Sequence, residues 1–536
     1  MASPKRLRIS SRQSDLARIQ AYLVGEALRR AHPGLEIDFR FRESLGDVNQ
    51  ADPLWKMPER GVFTEDFLAD LVGGETDLVV HSWKDLPVAE RSETEIVATL
   101  PRADARDLLL LKKSAWPRVG ANRRLRVYSS SPRRARNLGG FLADHLPTPI
   151  AAVEFVPVRG NIPTRVRKLF EDGEIDALIV AKAALDRLLA PVPGAPAHET
   201  EKFGATADEL RRRIADCRWM VLPLSENPTA AAQGALAIEI RKDRDDLRGL
   251  LAKIHDENTA RAVRREREIL AGYGGGCHQK IGVSVLKRDY GEITFLRGET
   301  DAGEVLDRSE LEPIGGRKSA KISDPAALWP SPGAVLDGNE GFYQRRALPI
   351  TSEEFARRTE GRALWIARAN ALPSEVNLGP ERVVWTAGLA TWRKLARHGV
   401  WVNGSAEGLG EREAPNVDAI HGQVVLWVKL THSPVDGLPP GGPEEMPSLA
   451  TYDLLPRADV PDLAGKREFF WMSGSAFVAA LARHPEIREA RHRSGPGRTH
   501  EVLRQVLGER AKIEIELGYS AWLKQIRAKG NEGEGS

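Results

Sequence analysis

Cys277 closes the run Tyr273-Gly274-Gly275-Gly276-Cys277. Three successive glycines do not settle inside a helix or a strand, so this thiol is expected on a flexible loop. There it can serve as a nucleophile or as a covalent attachment point. A buried structural cysteine beside a turn fits the same residues, and the run alone leaves both open. The other cysteine, Cys217, sits in the charged run Arg211 to Arg218 and reads as packing. A second group is His81-Ser82-Trp83-Lys84-Asp85-Leu86-Pro87, which follows the apolar stretch Leu78-Val79-Val80. It places an ammonium beside a carboxylate that could pass a proton or accept a polar N–H. A solvated surface turn is the plain alternative.

A third group is spread out. Arg12 and Ser14 lie in Ser10-Ser11-Arg12-Gln13-Ser14, Arg133 and Arg134 follow Ser129-Ser130-Ser131-Pro132, and Arg159 and Arg165 bracket Gly160 to Thr164. Each guanidinium stands where a strand runs into a helix, so backbone N–H groups and a planar cation together suit a carboxylate or phosphate. One such arginine means little; several on two similar units suggest a polyanionic small ligand in a cleft. Neither a phosphate-binding glycine loop of the Walker type nor zinc-ligand spacing occurs, so nucleotide and metal chemistry are not indicated.

The elements that must hold these groups alternate between short apolar strands and helices. Leu7 to Ile9, Leu35 to Phe41 and Leu78 to Val80 read as strands, with helices over Asp15 to Arg30 and Phe63 to Val72. A second unit repeats the pattern, with strands at Leu125 to Ser129, Ala152 to Val158 and Asp176 to Val180. Gln233 to Ile240 reads as a further strand, then a charged helical stretch to Leu270, then a small sheet over Ile281 to Gly298. This alternation predicts an α/β fold on mainly parallel sheets, with ligand groups beyond the carboxyl ends of the strands. Gly315 to Gly341 is rich in Gly, Pro and Ser and reads as a linker. A cut near Gly341 is expected to leave the first part active.

At 536 residues the chain suits roughly three to four domains. Its 78 basic and 75 acidic side chains are interspersed, for a net charge of +3, which gives no reason to invoke nucleic acid. Two cysteines exclude a disulfide framework. The amino terminus has no apolar core of a leader, and no stretch nears the roughly 20 apolar residues of a membrane span. A cytoplasmic location and no membrane partner are expected; the oligomeric state is open.

The motifs fall in an order that resembles porphobilinogen deaminase over some 300 residues. They are Ser11 to Ala17, Val79 to Pro87, Ser129 to Arg134, Arg159 to Arg165, Gln233-Gly234-Ala235-Leu236 and Gly275-Gly276-Cys277. The resemblance implies two periplasmic-binding-protein-like α/β domains and a third small α/β domain bearing the cysteine. Mapped here, these are residues 1–105 with 222–245, 106–221 and 246–314, followed by a linker at 315–341. It implies a dipyrromethane cofactor joined by a thioether to Cys277, and Asp85 as the catalytic carboxylate. It places Arg12, Ser14, Arg60, Lys84, Ser129, Ser130, Arg133, Arg134, Arg159, Arg165, Arg187 and Gln233 on positions that bind the acetate and propionate groups of cofactor and substrate. The substrate would be porphobilinogen, which loses its amine to become an electrophile, and the product a linear tetrapyrrole. A non-catalytic binding module is the rival reading; it has no need of the thiol. Tyr128 and Pro132 stand where that family has glycine and leucine, and Arg60 where it often has lysine.

Beyond the linker, strand, glycine turn, helix and strand recur at Val383 to Gly388, Leu389 to His398 and Gly399 to Val402. Further strands are expected at Val424 to Leu430, Glu468 to Ser473 and Ala511 to Glu516. Gly388 to Thr391, Ser405 to Leu409, Thr451-Tyr452, Phe470 to Ser475 and Ser494 to Pro496 resemble uroporphyrinogen-III synthase. That resemblance implies a doubly wound α/β region over 342–536, with Thr391, Tyr452, Ser473 and Ser475 in its cleft. It implies cyclisation of the linear product, with the opening segments before Gly361 shortened or absent. A non-catalytic structural or docking remnant is the alternative.

Overall fold

The structure is a computed structural model. It describes residues 4–43, 65–89, 91–274, 279–316, 324–332, 334, 341–439, 446–508 and 511–524. Cys277 and Arg60 lie outside them.

The first five-stranded sheet has the order Glu36–Arg42, Arg6–Arg12, Leu78–Ser82, Leu236–Arg241, Thr94–Ala98. The second has the order Ala152–Val156, Arg124–Tyr128, Ala177–Ala181, Asp107–Lys112, Cys217–Leu222. In each, one strand runs against its neighbours, and it stands fourth in the order. Those two strands are the ones reached by the crossovers between the sheets, 99–106 and 223–235. Sheet strands are almost wholly apolar where helices cover both faces: Ala177–Ala181 is buried throughout, and Asp107–Lys112 likewise. Helices Asp15–Ala31, Pro132–His145 and Ile162–Glu171 each start at the carboxyl end of a strand.

A three-stranded antiparallel sheet, Gly282–Arg288, Gly291–Glu299 and Val305–Pro313, packs against helix Glu257–Ala271. Its third strand was not expected from sequence. The sheet is stitched to the second crossover: Thr229 N donates to Ser284 Oγ at 2.9 Å and Val283 N to Thr229 O at 2.9 Å. The approach is close enough that a Cβ on Gly282 would lie 2.0 Å from Pro228 O, so only glycine fits. Glu266, fully buried, takes Arg102 through both oxygens (2.7 and 3.0 Å) and also the N–H groups of Ala232 and Val285 (2.8 Å each). One carboxylate thereby joins both crossovers to the third sheet.

The C-terminal region has two more sheets. The six-stranded one has the order Tyr343–Ala347, Ser448–Pro456, Trp427–His432, Ala363–Ile366, Val384–Thr386, Gly404–Ser405. The four-stranded one has the order Leu328–Trp329, Glu468–Trp471, Arg491–Ser494, Ile513–Ile515, all parallel. Leu328–Trp329 falls inside the stretch expected as linker, and Tyr343–Ala347 and Ser352–Arg358 supply ordered elements before Gly361. The strand expected at Gly399 to Val402 is displaced to Gly404–Ser405, because Trp401 Nε1 is drawn to Trp219 O at 3.0 Å.

Two of the sheets meet edge to edge. Val221 N, on the outer strand of the second sheet, donates to Asn403 O at 2.8 Å. Asn403 Nδ2 returns a bond to Trp219 O at 3.0 Å. Above this seam Trp392 packs edge-on to Phe141, with ring centroids 5.3 Å apart, and its Nε1 donates to His145 O at 3.1 Å. Leu109, Leu125, Val127, Phe141 and Met220 share one core with Leu364, Ile366, Trp392 and Leu395. No helix among the described residues is long and apolar enough to cross a membrane.

Candidate functional site

Strand Leu78–Ser82 runs directly into a single turn, Trp83–Asp85. Trp83 is buried among Leu86, Ala232, Ala235, Ala237 and Val263, which pins the turn and leaves Lys84 half-buried and Asp85 exposed. Behind it, Glu239 accepts Thr94 Oγ1 at 2.6 Å and Arg91 Nη1 at 3.0 Å, and its other oxygen lies 2.9 Å from His81 Nε2. Burial would raise the Glu239 pKa, but the hydrogen bond and charge of His81, with Thr94 and Arg91, bring it down to about 2.

The carboxylate that organises the opposite wall is Asp107, fully buried at the head of its strand. It receives Arg133 Nη2 at 2.9 Å, Arg134 Nη2 at 2.7 Å and Nε at 3.0 Å, Asn227 Nδ2 at 2.9 Å and Gln233 Nε2 at 2.9 Å. Burial acts to raise its pKa; Arg134 and Arg133 outweigh that and hold the carboxyl well below its usual range. Two guanidiniums against one carboxylate leave the buried cluster with a net positive charge. Neither Asp107 nor Asn227 was expected as a site group. The signal for Asp107 was present: a lone acid opening the apolar run Leu108 to Leu111 must have a cationic partner.

Further cations surround that cluster. Burial, then repulsion from Arg134 and Arg159, lowers the Arg165 pKa to about 10, with Asp85 acting in the other direction. Burial lowers Lys84 as well; Asp85 and Asp107 pull it back up, while Arg134 and Arg133 push it further down. Lys84, Asp85, Arg133, Arg134, Arg159 and Arg165 therefore share one electrostatic neighbourhood. Lys84 Nζ reaches Gln233 Oε1 at 3.4 Å, and Arg165 Nε donates to Gly160 O at 2.6 Å. Arg187, lowered by burial to about 10, donates to Gly234 O at 2.7 Å. Gly234 itself has φ +89, and a Cβ there would lie 2.5 Å from Ala103 O, so the crossovers touch through a glycine.

The hydroxyls divide by role. Ser130 Oγ ties two strand ends together, donating to Val158 O at 2.8 Å and accepting Val158 N at 2.9 Å. Ser129 Oγ accepts Ser131 N at 3.3 Å. Ser14 precedes helix Asp15–Ala31 without capping it through its side chain, and Arg12 ends the neighbouring strand. Tyr128, which stands where the resembled family has glycine, donates to Asp172 Oδ2 at 2.6 Å. Pro132 occupies the first turn of its helix, where a missing N–H costs nothing. Tyr273 and Gln279, which flank Cys277 in sequence, are joined, since Gln279 Nε2 donates to Tyr273 O. Cys217 opens a buried strand, and burial pushes its thiol up to about 12, as packing requires.

A second group of candidate residues lies where Arg368 reaches from the six-stranded sheet to the four-stranded one. Tyr452 is buried beside His432, ring centroids 5.9 Å apart. Arg368 leaves the end of strand Ala363–Ile366 and donates to Met472 O on the other sheet at 3.1 Å. Burial lowers the His432 pKa, as do Lys429, Arg368 and Arg345, against the bond to Ser433 O. Ser473 caps helix Gly474–Arg483, and its Oγ lies 2.7 Å from that of Ser475. Thr391 Oγ1 donates to Ala367 O at 3.3 Å. Arg345, Arg368 and His432 were not expected; two come from strands and Arg368 from the turn that follows a third, and nothing in sequence brings them together.

The family description "Porphobilinogen deaminase, dipyromethane cofactor binding domain" matches residues 7–249. A porphobilinogen deaminase of Roseiflexus sp. (strain RS-1) is 32% identical over 324 residues, 60% of this chain and 92% of the relative. One of Acidothermus cellulolyticus is 37% identical over 287 residues, 52% of this chain and 74% of the relative. Among solved structures, the periplasmic aliphatic sulphonate binding protein SsuA of Escherichia coli matches 51% of this chain and 71% of its own length, at 13% identity and a TM-score of 0.24.

Proposed function

The chain belongs to the porphobilinogen deaminase family, and on that premise we propose how its residues divide the work. It acts in tetrapyrrole biosynthesis and carries the domain for the dipyrromethane cofactor. The observation that carries the reading is the surplus of cations around one exposed carboxylate. Guanidiniums and an ammonium whose charge is opposed by burial and by one another are stabilised by anions. A dipyrromethane, with carboxylates on both rings, fits that surplus. When bound, it supplies the nucleophilic pyrrole on which the product is begun.

In this reading Cys277 is the attachment point, and the residues that flank it in sequence, Tyr273 and Gln279, are bonded to one another. Arg165, Arg159, Arg187 and Lys84 hold acetate and propionate groups, while Arg133 and Arg134 share Asp107 and lend their remaining charge. Asp85 passes a proton to the leaving amine of porphobilinogen and then accepts pyrrole N–H. His81 and Glu239 fix the strand end that carries it. Asp85→Asn is expected to keep the covalent cofactor by intact mass and to lose turnover by about 10² or more. Cys277→Ser is expected to fold without adduct and without product. Turnover near that of the unaltered protein in either variant would refute the assignment.

For the C-terminal region we propose cyclisation of the linear tetrapyrrole to the type III uroporphyrinogen isomer. Arg345, Arg368 and His432 around Tyr452 support it, because they suit the carboxylates of a folded bilane: His432 ends a parallel strand, Arg368 follows another, and Arg345 comes from the antiparallel edge strand. Work done by holding geometry needs no strong acid. Given porphobilinogen, the full chain should yield type III product, and Arg368→Ala more type I at an unchanged deaminase rate. Equal isomer ratios from both would leave the region with the docking role that its edge-to-edge seam favours.

A further inference from the structure

The two walls of the deaminase cleft come from different sheets. Lys84 and Asp85 stand on the first; Arg133, Arg134, Arg159 and Arg165 stand on the second. Their separation is set by the two crossovers, 99–106 and 223–235. Segment 403–417 of the C-terminal region grips both.

Asn403 O takes Val221 N at 2.8 Å, just before the second crossover begins. The carboxylate of Glu407 then takes two N–H groups of that crossover, Leu224 N at 2.9 Å and Ser225 N at 2.7 Å. On the first crossover, Arg106 Nη2 donates to Pro415 O at 2.8 Å, and its guanidinium lies 5.4 Å from the Trp385 ring. Arg106 is fixed from behind by Asp104 at 2.6 Å, which also lies 3.6 Å from the buried Lys182 Nζ. Glu413 adds the third sheet through Arg288 Nη2 at 2.7 Å.

Glu407 is held in an unusual state to do this. Its φ is +56, in the left-handed region where a residue with a side chain is strained, and its N–H is taken by Ser405 Oγ at 3.0 Å. A glycine or asparagine would relieve the backbone; neither would bring a two-oxygen acceptor to both amides. Strain retained for a contact outside its own unit points to a role outside that unit.

We infer that segment 403–417 sets the angle between the two walls of the deaminase cleft, and that Glu407 is a positioning residue for the deamination reaction. Releasing Leu224 and Ser225 lengthens the pliable part of the second crossover. Asp85 then meets its substrate in a wider spread of orientations, and misplacement of about 1 Å can cost 10²-fold in rate. Each addition must find the same geometry, so the loss falls on kcat.

The test compares full-length protein with Glu407→Gln and Glu407→Ala. Amide hydrogen exchange follows Leu224 and Ser225, and intact mass counts the molecules that carry cofactor. Exchange should accelerate at those two amides. The kcat per cofactor-bearing molecule should fall severalfold with KM within twofold, and partly built chains should accumulate on the protein. Faster exchange with an unchanged kcat per loaded molecule would overturn the inference. Should Glu407→Ala not fold, Glu413→Gln decides: it loosens only the half-buried pair to Arg288, and it should lower kcat by less. No change there, with the Arg288 contact shown to be lost, counts against the inference. The readout is deamination itself, so the outcome is independent of whether the C-terminal region cyclises anything.

Discussion

The two candidate sites of this chain handle charge in opposite ways. Around Asp85 the scaffold buries ions: Asp107 lies under two guanidiniums, and Glu239 under His81 and Arg91. Around Tyr452 the cations lie between sheets, and the neighbouring carboxylate, Asp453, is occupied at the rim by Arg346 at 2.7 Å and Ser433 at 2.7 Å. Buried ion networks are costly to assemble but fix side chains in one geometry. Under the proposed assignment, a site that presents Asp85 to successive substrates benefits from that rigidity. A site that only has to hold a flexible chain in a curved shape does not.

Removing the second region altogether should have the largest effect. Composition at 315–341 predicts a separable unit, yet the second sheet shares a core and a strand edge with the C-terminal region. A chain ending at 341 would expose Phe141 and Trp219 together with the outer strand Cys217–Leu222. It is expected to aggregate or to melt well below the full chain in a thermal scan; an equally stable, active fragment would show the contact to be incidental.

Next in size is Asp107→Ala. It leaves Arg133 and Arg134, only 4% and 8% exposed, without their shared partner. A loss of about 3–5 kcal/mol in urea unfolding is expected. Glu239→Gln should cost about 3 kcal/mol near neutral pH, from the fall in pKa to about 2 from 4.5. Because the folded-state pKa is depressed, that stabilisation is present above about pH 4.5 and disappears as pH falls through 2. The unaltered and variant proteins should therefore converge in acid. In the second site, Asp453→Asn breaks a rim contact only, and the melting temperature should stay where it is. A large drop there would erase the contrast between the sites.

The strands and helices around the first cleft were legible because their signals are local. Apolar runs of three to five residues stop at polar motifs, and Pro132 and Pro163 mark helix starts. The arginines were legible by type and place as candidate anion ligands. Their internal partner was not, because Asp107 meets Arg134 only after strand and helix have packed. The third strand of the small sheet, Val305–Pro313, escaped for a different reason. Its burial pattern is mostly exposed, so it lacks the alternation that marks a half-buried strand. In the C-terminal region, Gly404–Ser405 is only two residues long, and its position is dictated by Trp219 and Val221, far away in sequence. Glu407 looks like any surface acid until its φ and its two amide partners are known.

The seam between Val221 and Asn403 also has a history in time. The ribosome completes strand Cys217–Leu222 about 180 residues before Asn403 emerges, which at about 5–20 residues per second is roughly 10–40 s. Through that interval the nascent chain carries an open sheet edge, the sort of template on which other chains pair. Synthesis of this protein thus includes a period in which its first half is finished in sequence but unprotected in solution, and chaperone cover would matter most just then.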